Sequence, residues 1–218
     1  KGQILAEKLQ LAVNLDYLTG KLRNYPLKAA AQLNLVDDRL NIKQMSVQTG
    51  ANQLTAQGQL GVNDQNAKLD INLTAPKLNG LWPTLSGQLN AKAHLQGQLT
   101  NPAVQLNATG KNLRFEQHGL NNLALQVNYT ADDKKPSQIQ LNAAEISSGD
   151  NKISRLELSG KGTKPQHQFS VQVNSNQGDV DLALTGRWQN NSWQAQLQQL
   201  NIQQEKAGRW LLKTMPFL

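Results

Sequence analysis

Apolar and polar residues alternate along most of this chain. From Leu85 to Leu99 the odd positions are Leu85, Gly87, Leu89, Ala91, Ala93, Leu95, Gly97 and Leu99. The even positions are Ser86, Gln88, Asn90, Lys92, His94, Gln96 and Gln98. A β-strand sends successive side chains to opposite faces, so this stretch predicts a long strand with one apolar and one polar face. A helix would smear Leu and Gln around its surface.

The same period of two runs through the chain. It predicts strands over 9–17, 27–35, 40–47, 54–62 and 67–75, then 85–99, 104–115 and 123–129. Further strands centre on 139–143, 153–160, 169–173, 180–186 and 193–202. Gly20, Asp37-Asp38, Gly50-Ala51-Asn52 and Asn63-Asp64-Gln65-Asn66 read as turns. In the third strand the apolar phase moves from Leu40 and Ile42 to Met45 and Val47, which predicts a β-bulge near Lys43. Pro76–Pro83 (PKLNGLWP) breaks the pattern and predicts a loop or single helical turn, with Trp82 packing over one end of the sheet. The expectation is about fourteen strands in an antiparallel meander, without the helical segments of a βαβ fold. Residues 1–206 read as one continuous β segment. Residues 207–218 (AGRWLLKTMPFL) lose the alternation and read as an apolar tail, a short helix or a docking segment.

Gly58, Gly87, Gly97, Gly160 and Gly186 fall on the apolar register. Glycine inside a strand marks a bend or a close approach. Two architectures fit: a sheet folded on itself with a dry core, or a sheet curled into an open groove. The runs are too long and unequal for a β-helix.

Composition narrows this further. The chain has 218 residues, enough for one large β domain or two average ones, and only 5% are aromatic. The formal net charge is +7, from 22 Lys and Arg against 15 Asp and Glu, and the longest cationic run is Lys134-Lys135. Such diffuse basicity suits an anionic environment or simple solubility. There is no cysteine, which excludes disulfides and thiolate sites. No apolar run is long enough for a membrane-spanning helix. The start at Lys1, without Met or a signal peptide, reads as a piece cut from a longer protein.

The order L-x-G-x-L, then x-N-P, x-V/L and N-L recurs. It is carried by Leu85-Ser86-Gly87-Gln88-Leu89, by Leu95 to Val104, by Gly110-Lys111-Asn112-Leu113 and by Gly119-Leu120 with Leu123-Ala124-Leu125. Weaker copies lie at Gln53–Gly61 and Ser154–Gly160. This series resembles the repeats of the TamB and AsmA-like family of Gram-negative bacteria, over about two thirds of the chain. The resemblance implies an internal or C-terminal-half segment of a periplasmic protein. It implies a long curved antiparallel sheet curled into an apolar-lined groove, a β-taco or half-pipe. The implied function is bridge-like transport of phospholipid between inner and outer membranes, contributing to outer-membrane biogenesis and protein assembly. The implied partners are phospholipids, a TamA-like outer-membrane barrel of the Omp85 class, and the inner membrane through an N-terminal anchor absent here. Acyl chains would then touch Leu54, Leu60, Leu69, Ile71, Leu73, Leu85, Leu89, Leu95, Leu99, Val104, Leu106, Leu113, Phe115, Leu123, Leu125 and Val127, while Lys92 and His94 face water. Trp210, Leu211, Leu212 and Phe217 of the tail could dock in the groove as a lipid mimic.

Rival functions have less support. His94, His118 and His167 are far apart, and Glu116-x-His118 reads as a solvated turn rather than a metal site. No hydrolase, nucleotide-binding or metalloprotease motif occurs, so no enzyme, cofactor or metal is expected. Without exposed aromatics on strands or an Arg-rich stretch, no nucleic acid is expected either. The alternative function is a structural or adhesin-like secreted β protein with a closed core and no lipid. Sequons at Asn72, Asn107, Asn128 and Asn190 are expected by chance in so Asn-rich a chain.

Overall fold

Strand follows strand in sequence order throughout the computed structural model, which describes residues 10–36, 38–61, 66–204 and 208–212. The first seven are β1 (Leu11–Leu22), β2 (Tyr25–Val36), β3 (Arg39–Thr49), β4 (Asn52–Gly61), β5 (Asn66–Ala75), β6 (Leu85–Gln98) and β7 (Asn101–Phe115). The others are β8 (His118–Thr130), β9 (Ser137–Ser148), β10 (Asn151–Gly162), β11 (His167–Ser175), β12 (Gly178–Gln189), β13 (Ser192–Gln204) and β14 (Gly208–Leu212). They form one 14-stranded sheet in the order β1 to β14, every neighbour antiparallel, with β1 and β14 as its two edges. The sheet therefore stays open rather than closing as a barrel.

The period-two pattern becomes two faces because paired residues share a side. One row runs Leu15, Ala31, Met45, Ala56, Ile71, Ala93 and Leu106. It continues through Val127, Ile139, Gly160, Phe169, Leu184 and Leu197. The opposite face carries Ser46, Thr55, Asn72, Lys92, Asn107, Gln126 and Gln140 in one row. A one-residue slip in any strand would turn its leucines to the polar side, so register is strongly specified.

Where strands do slip, their neighbours absorb it. The register shifts between Ile42 and Met45, placing the expected bulge at Lys43. A second slip crosses four strands together. The apolar phase steps from Gly110 to Leu113 in β7, Leu120 to Leu123 in β8, Ala143 to Ile146 in β9 and Ile153 to Leu156 in β10. Leu113, Leu120, Ile146 and Ile153 remain paired in one row, so the apolar face is unbroken. Asn112 and Glu145 take left-handed φ of 50° and 55° at this line. On the polar side Asn121 accepts from Arg114 Nη2 (2.6 Å) and donates to Glu145.

Glycine provides two of the irregularities. Gly58 and Gly87 have φ of +139° and +103°, conformations that suit glycine almost alone. A Cβ on Gly87 would lie 2.7 Å from the Lys111 carbonyl. Gly160 and Gly186 serve differently: the Phe169 ring lies over the first, and His167 and Trp193 over the second. The room above these two glycines is thus taken by neighbouring side chains.

Several local expectations change. Gly20 lies inside β1, and the turn falls at Arg23-Asn24, whose φ values of 49° and 68° match a two-residue I′ hairpin. The tail is neither a helix nor a plug over residues 208–212. That segment is edge strand β14, because Trp210 and Leu212 pair with Ile202 and Leu200 and extend the apolar face, while Leu211 pairs with Asn201 on the polar one. Leu9, Val62, the 63–65 turn and Phe217 lie outside the described residues.

Candidate functional site

The apolar face itself is the candidate site. Its lining comes from strand alternation alone, and each row is built by pairing. Leu54 pairs with Leu73, Leu69 with Leu95, and Leu95 with Val104. Ile71 reaches Leu106 and Val127 through Ala93. Ala75 joins Leu89, Gly110 and Leu123 in one row, and Ala91 joins Leu73 to Ala108 and Leu125. Leu60 pairs with Leu40, Leu85 with Phe115 and Leu113 with Leu120. All sixteen expected lining residues except Leu99 and Phe115 are half-buried. Leu99 lies in the β6–β7 turn, 53% exposed, and Phe115 ends β7 at 47%. These two belong to the rims rather than the wall.

No side chain of the described residues is both large and fully buried. The molecule exposes 15133 Å², against about 9,900 Å² for a compact monomer of this mass. Among the described residues, the leucine face therefore has no second layer across it. No Lys, Arg, Asp or Glu stands in the paired apolar rows. Charge is kept to the other side, where His94 Nδ1 lies 2.6 Å from Asp70 Oδ1 and Lys92 is exposed, as the alternation predicts.

The connections fall alternately on two rims, and each rim adds a feature. On the first, the 76–84 connection contains a 3-10 turn, Leu78–Gly80, as the Pro-Gly break predicts. It folds over the ends of β2–β6 and acts as a cap. Leu78 is 3% exposed, Ala75 0% and Asn52 2%. Asn52 stands in phase with Leu54 and Ala56, so its amide lies on the apolar face. There it donates to the Lys77 carbonyl (2.8 Å) and accepts from the Lys77 amide (3.1 Å). Trp82 does not pack on the sheet as expected. It is 52% exposed and lies under the Arg23 guanidinium at 4.0 Å, while Arg23 Nη1 donates to the Leu81 carbonyl. Leu78 takes the sheet-facing place instead, because the 3-10 turn points it inward.

On the second rim, β8–β11, the β6–β7 turn and Trp193 enclose a concavity of about 900 Å³. Val127, Ile139, Gly160 and Phe169 form its floor as one paired row. Tyr129 and Trp193, 47% and 50% exposed, stand at its sides. His167 Nδ1 is 3.1 Å from the Thr163 carbonyl and so carries its proton there. Nε2 accepts from Trp193 Nε1 at 2.8 Å, which fixes one neutral tautomer. Lys164 and Asp133 face each other across the mouth at 3.6 Å. Asp132 beside them is held below the usual carboxylate range, first by the Lys134 amide and then by Lys135. His118 is the first residue of β8 rather than part of the turn, and its Nδ1 lies 2.9 Å from Ser148 Oγ across the β8–β9 pair.

Asn52, the shared slip line and the His167–Trp193 pair were not singled out by patterning. Asn52 left one signal, a polar residue on an apolar register. The other two depend on which strands become neighbours.

A family model described as TamB, N-terminal domain, matches residues 1–216. The resemblance of the repeats implies an internal or C-terminal-half segment, whereas the matching model is described as an N-terminal domain. The Translocation and assembly module subunit TamB of Haemophilus influenzae is 24% identical over 199 residues. The match covers 89% of this chain but only 15% of that relative. No solved structure matches the chain.

Proposed function

The chain belongs to the TamB family of translocation and assembly module subunits, and on that premise we propose that its apolar face carries phospholipid acyl chains. The observation that supports this is a continuous leucine-rich face over fourteen strands with no second layer over it among the described residues. Each buried methylene contributes about 0.8 kcal/mol, so a sixteen-carbon tail gains roughly 12 kcal/mol on such a surface. Rows of Leu, Ala, Val and Gly without charges offer no fixed stopping point, which suits a sliding path. The polar face then meets periplasmic water. In the longer protein this segment would form part of a bridge between inner and outer membranes, working with an inner-membrane anchor and a TamA-like Omp85 barrel in outer-membrane biogenesis and protein assembly. The adhesin-like alternative needs a closed core, and the described strands do not form one.

Photocrosslinking in cells tests this reading. A crosslinking residue at Leu89 or Leu106 should yield phospholipid adducts, and one at Gln88 or Gln96 none. Equal adducts on both faces, or none at all, would overturn the proposal.

A further inference from the structure

The groove as a whole needs no headgroup recognition, yet its second rim has features that the other rows lack. Gly160 and Gly162, neighbours of Ile139, Ser137, Phe169 and His167, add no side chain of their own to the floor where β10 crosses it, and the Phe169 ring lies over Gly160. Above this floor lies the concavity of about 900 Å³, near the upper end of pockets that hold small molecules, about 300–1,000 Å³. Its floor, from Val127 on β8 to Phe169 on β11, spans three strand steps, roughly 14 Å. The tail of one bilayer leaflet needs about the same, since the hydrocarbon core is about 30 Å thick.

Charge gathers at the mouth. Lys134, Lys135 and Lys164 lie in the turns there, against Asp132 and Asp133. Asp132 is engaged by Lys135 at 3.4 Å and by the Lys134 amide, and Asp133 by Lys164. No ion pair holds Lys134 among the described residues. The rim is thus cationic above an apolar trough. Thr163 and Ser137 add hydroxyls on the same lining.

Building on the acyl-chain reading, we propose that this concavity is a docking subsite for a phosphate-bearing amphiphile. The tail lies on Val127, Ile139 and Phe169 between the Tyr129 and Trp193 rings. The phosphate meets Lys164 at the mouth, exchanging with Asp133 for that ammonium. An ammonium and a carboxylate side by side also complement a head that carries both charges. An Nζ–Oδ2 separation of 3.6 Å between two half-exposed groups is a weak pair, so a phosphate displaces it readily.

Binding of a fluorescent lysophospholipid to the purified chain tests the subsite, with a monoacylglycerol of equal tail length and inorganic phosphate as the other arms. Lys164→Glu should weaken lysophospholipid about tenfold and leave monoacylglycerol unchanged. Lys92→Glu, on the polar face, should change neither, and Ile139→Trp, which fills the trough, should weaken both lipids. Circular dichroism checks that each variant is folded. Inorganic phosphate alone should compete poorly. If it competes as well as the lipid, the site is one for free phosphate and the proposal fails. Equal binding of both lipids with no effect of Lys164→Glu overturns the subsite but leaves the acyl-chain groove standing. Absence of binding by either lipid overturns the groove as well.

Discussion

The two rims of the sheet handle the same apolar face in opposite ways. On one, the 76–84 connection folds inward and seals the ends of β2–β6, leaving Ala75, Leu78, Asn52 and Thr49 at 0–4% exposure. On the other, the turns stand back, and Tyr129 and Trp193 remain 47% and 50% exposed around an open concavity. The lining chemistry is similar, so composition does not explain the contrast. A single polar side chain does: Asn52 satisfies both backbone groups of Lys77, which makes burial of a loop affordable. The open rim has its own polar pair, Trp193 Nε1 to His167 Nε2, but it joins two wall residues and draws no loop across the face. The sealed rim supplies local stability, and the open one supplies access.

Removing the clamp should erase the contrast. Asn52→Ala leaves the Lys77 amide without a partner beneath the cap and its carbonyl with only the Gly80 amide (3.1 Å), and should cost about 2 kcal/mol by urea denaturation. Amides of 78–82 should then exchange with solvent at rates close to those of the open-rim turns. A cap that keeps its protection in this variant would show that Leu78 burial suffices.

The sealed rim also contains a flaw. Thr49 Oγ1 is buried with no hydrogen-bond partner among the described residues. Thr49→Val removes the unsatisfied hydroxyl at nearly constant shape and should stabilise the chain by about 1 kcal/mol. A loss of stability would mean that the hydroxyl has a partner in solution.

At the open rim the equivalent change should matter least. Trp193→Phe deletes the bond to His167 from a half-exposed position and should cost about 0.5 kcal/mol. A cost equal to that of Asn52→Ala would break the distinction between a structural rim and an access rim.

Much of this architecture is legible in the chain. Alternation at Leu85–Leu99, the phase change at Lys43 and the break at Pro76–Pro83 each correspond to a structural event, because strand period, bulge and proline are local backbone properties. The tail misled for a related reason: five residues of β14 are too few to display a period, and pairing with β13 makes them a strand. Trp82 misled because bulk suggests burial, whereas the 3-10 turn directs Leu78 inward.

What the sequence by itself determined is which side of every strand is apolar, and that this side continues from strand to strand. Tertiary structure alone decided that the described strands leave the face uncovered, that four strands slip together at Asn112 and Glu145, and that Asn52 draws a cap over one rim. Alternation is a property of one strand and its pleat. Coverage, shared slips and buried clamps depend on residues distant in the chain, such as the 25 positions between Asn52 and Lys77. No local pattern encodes which distant groups will meet.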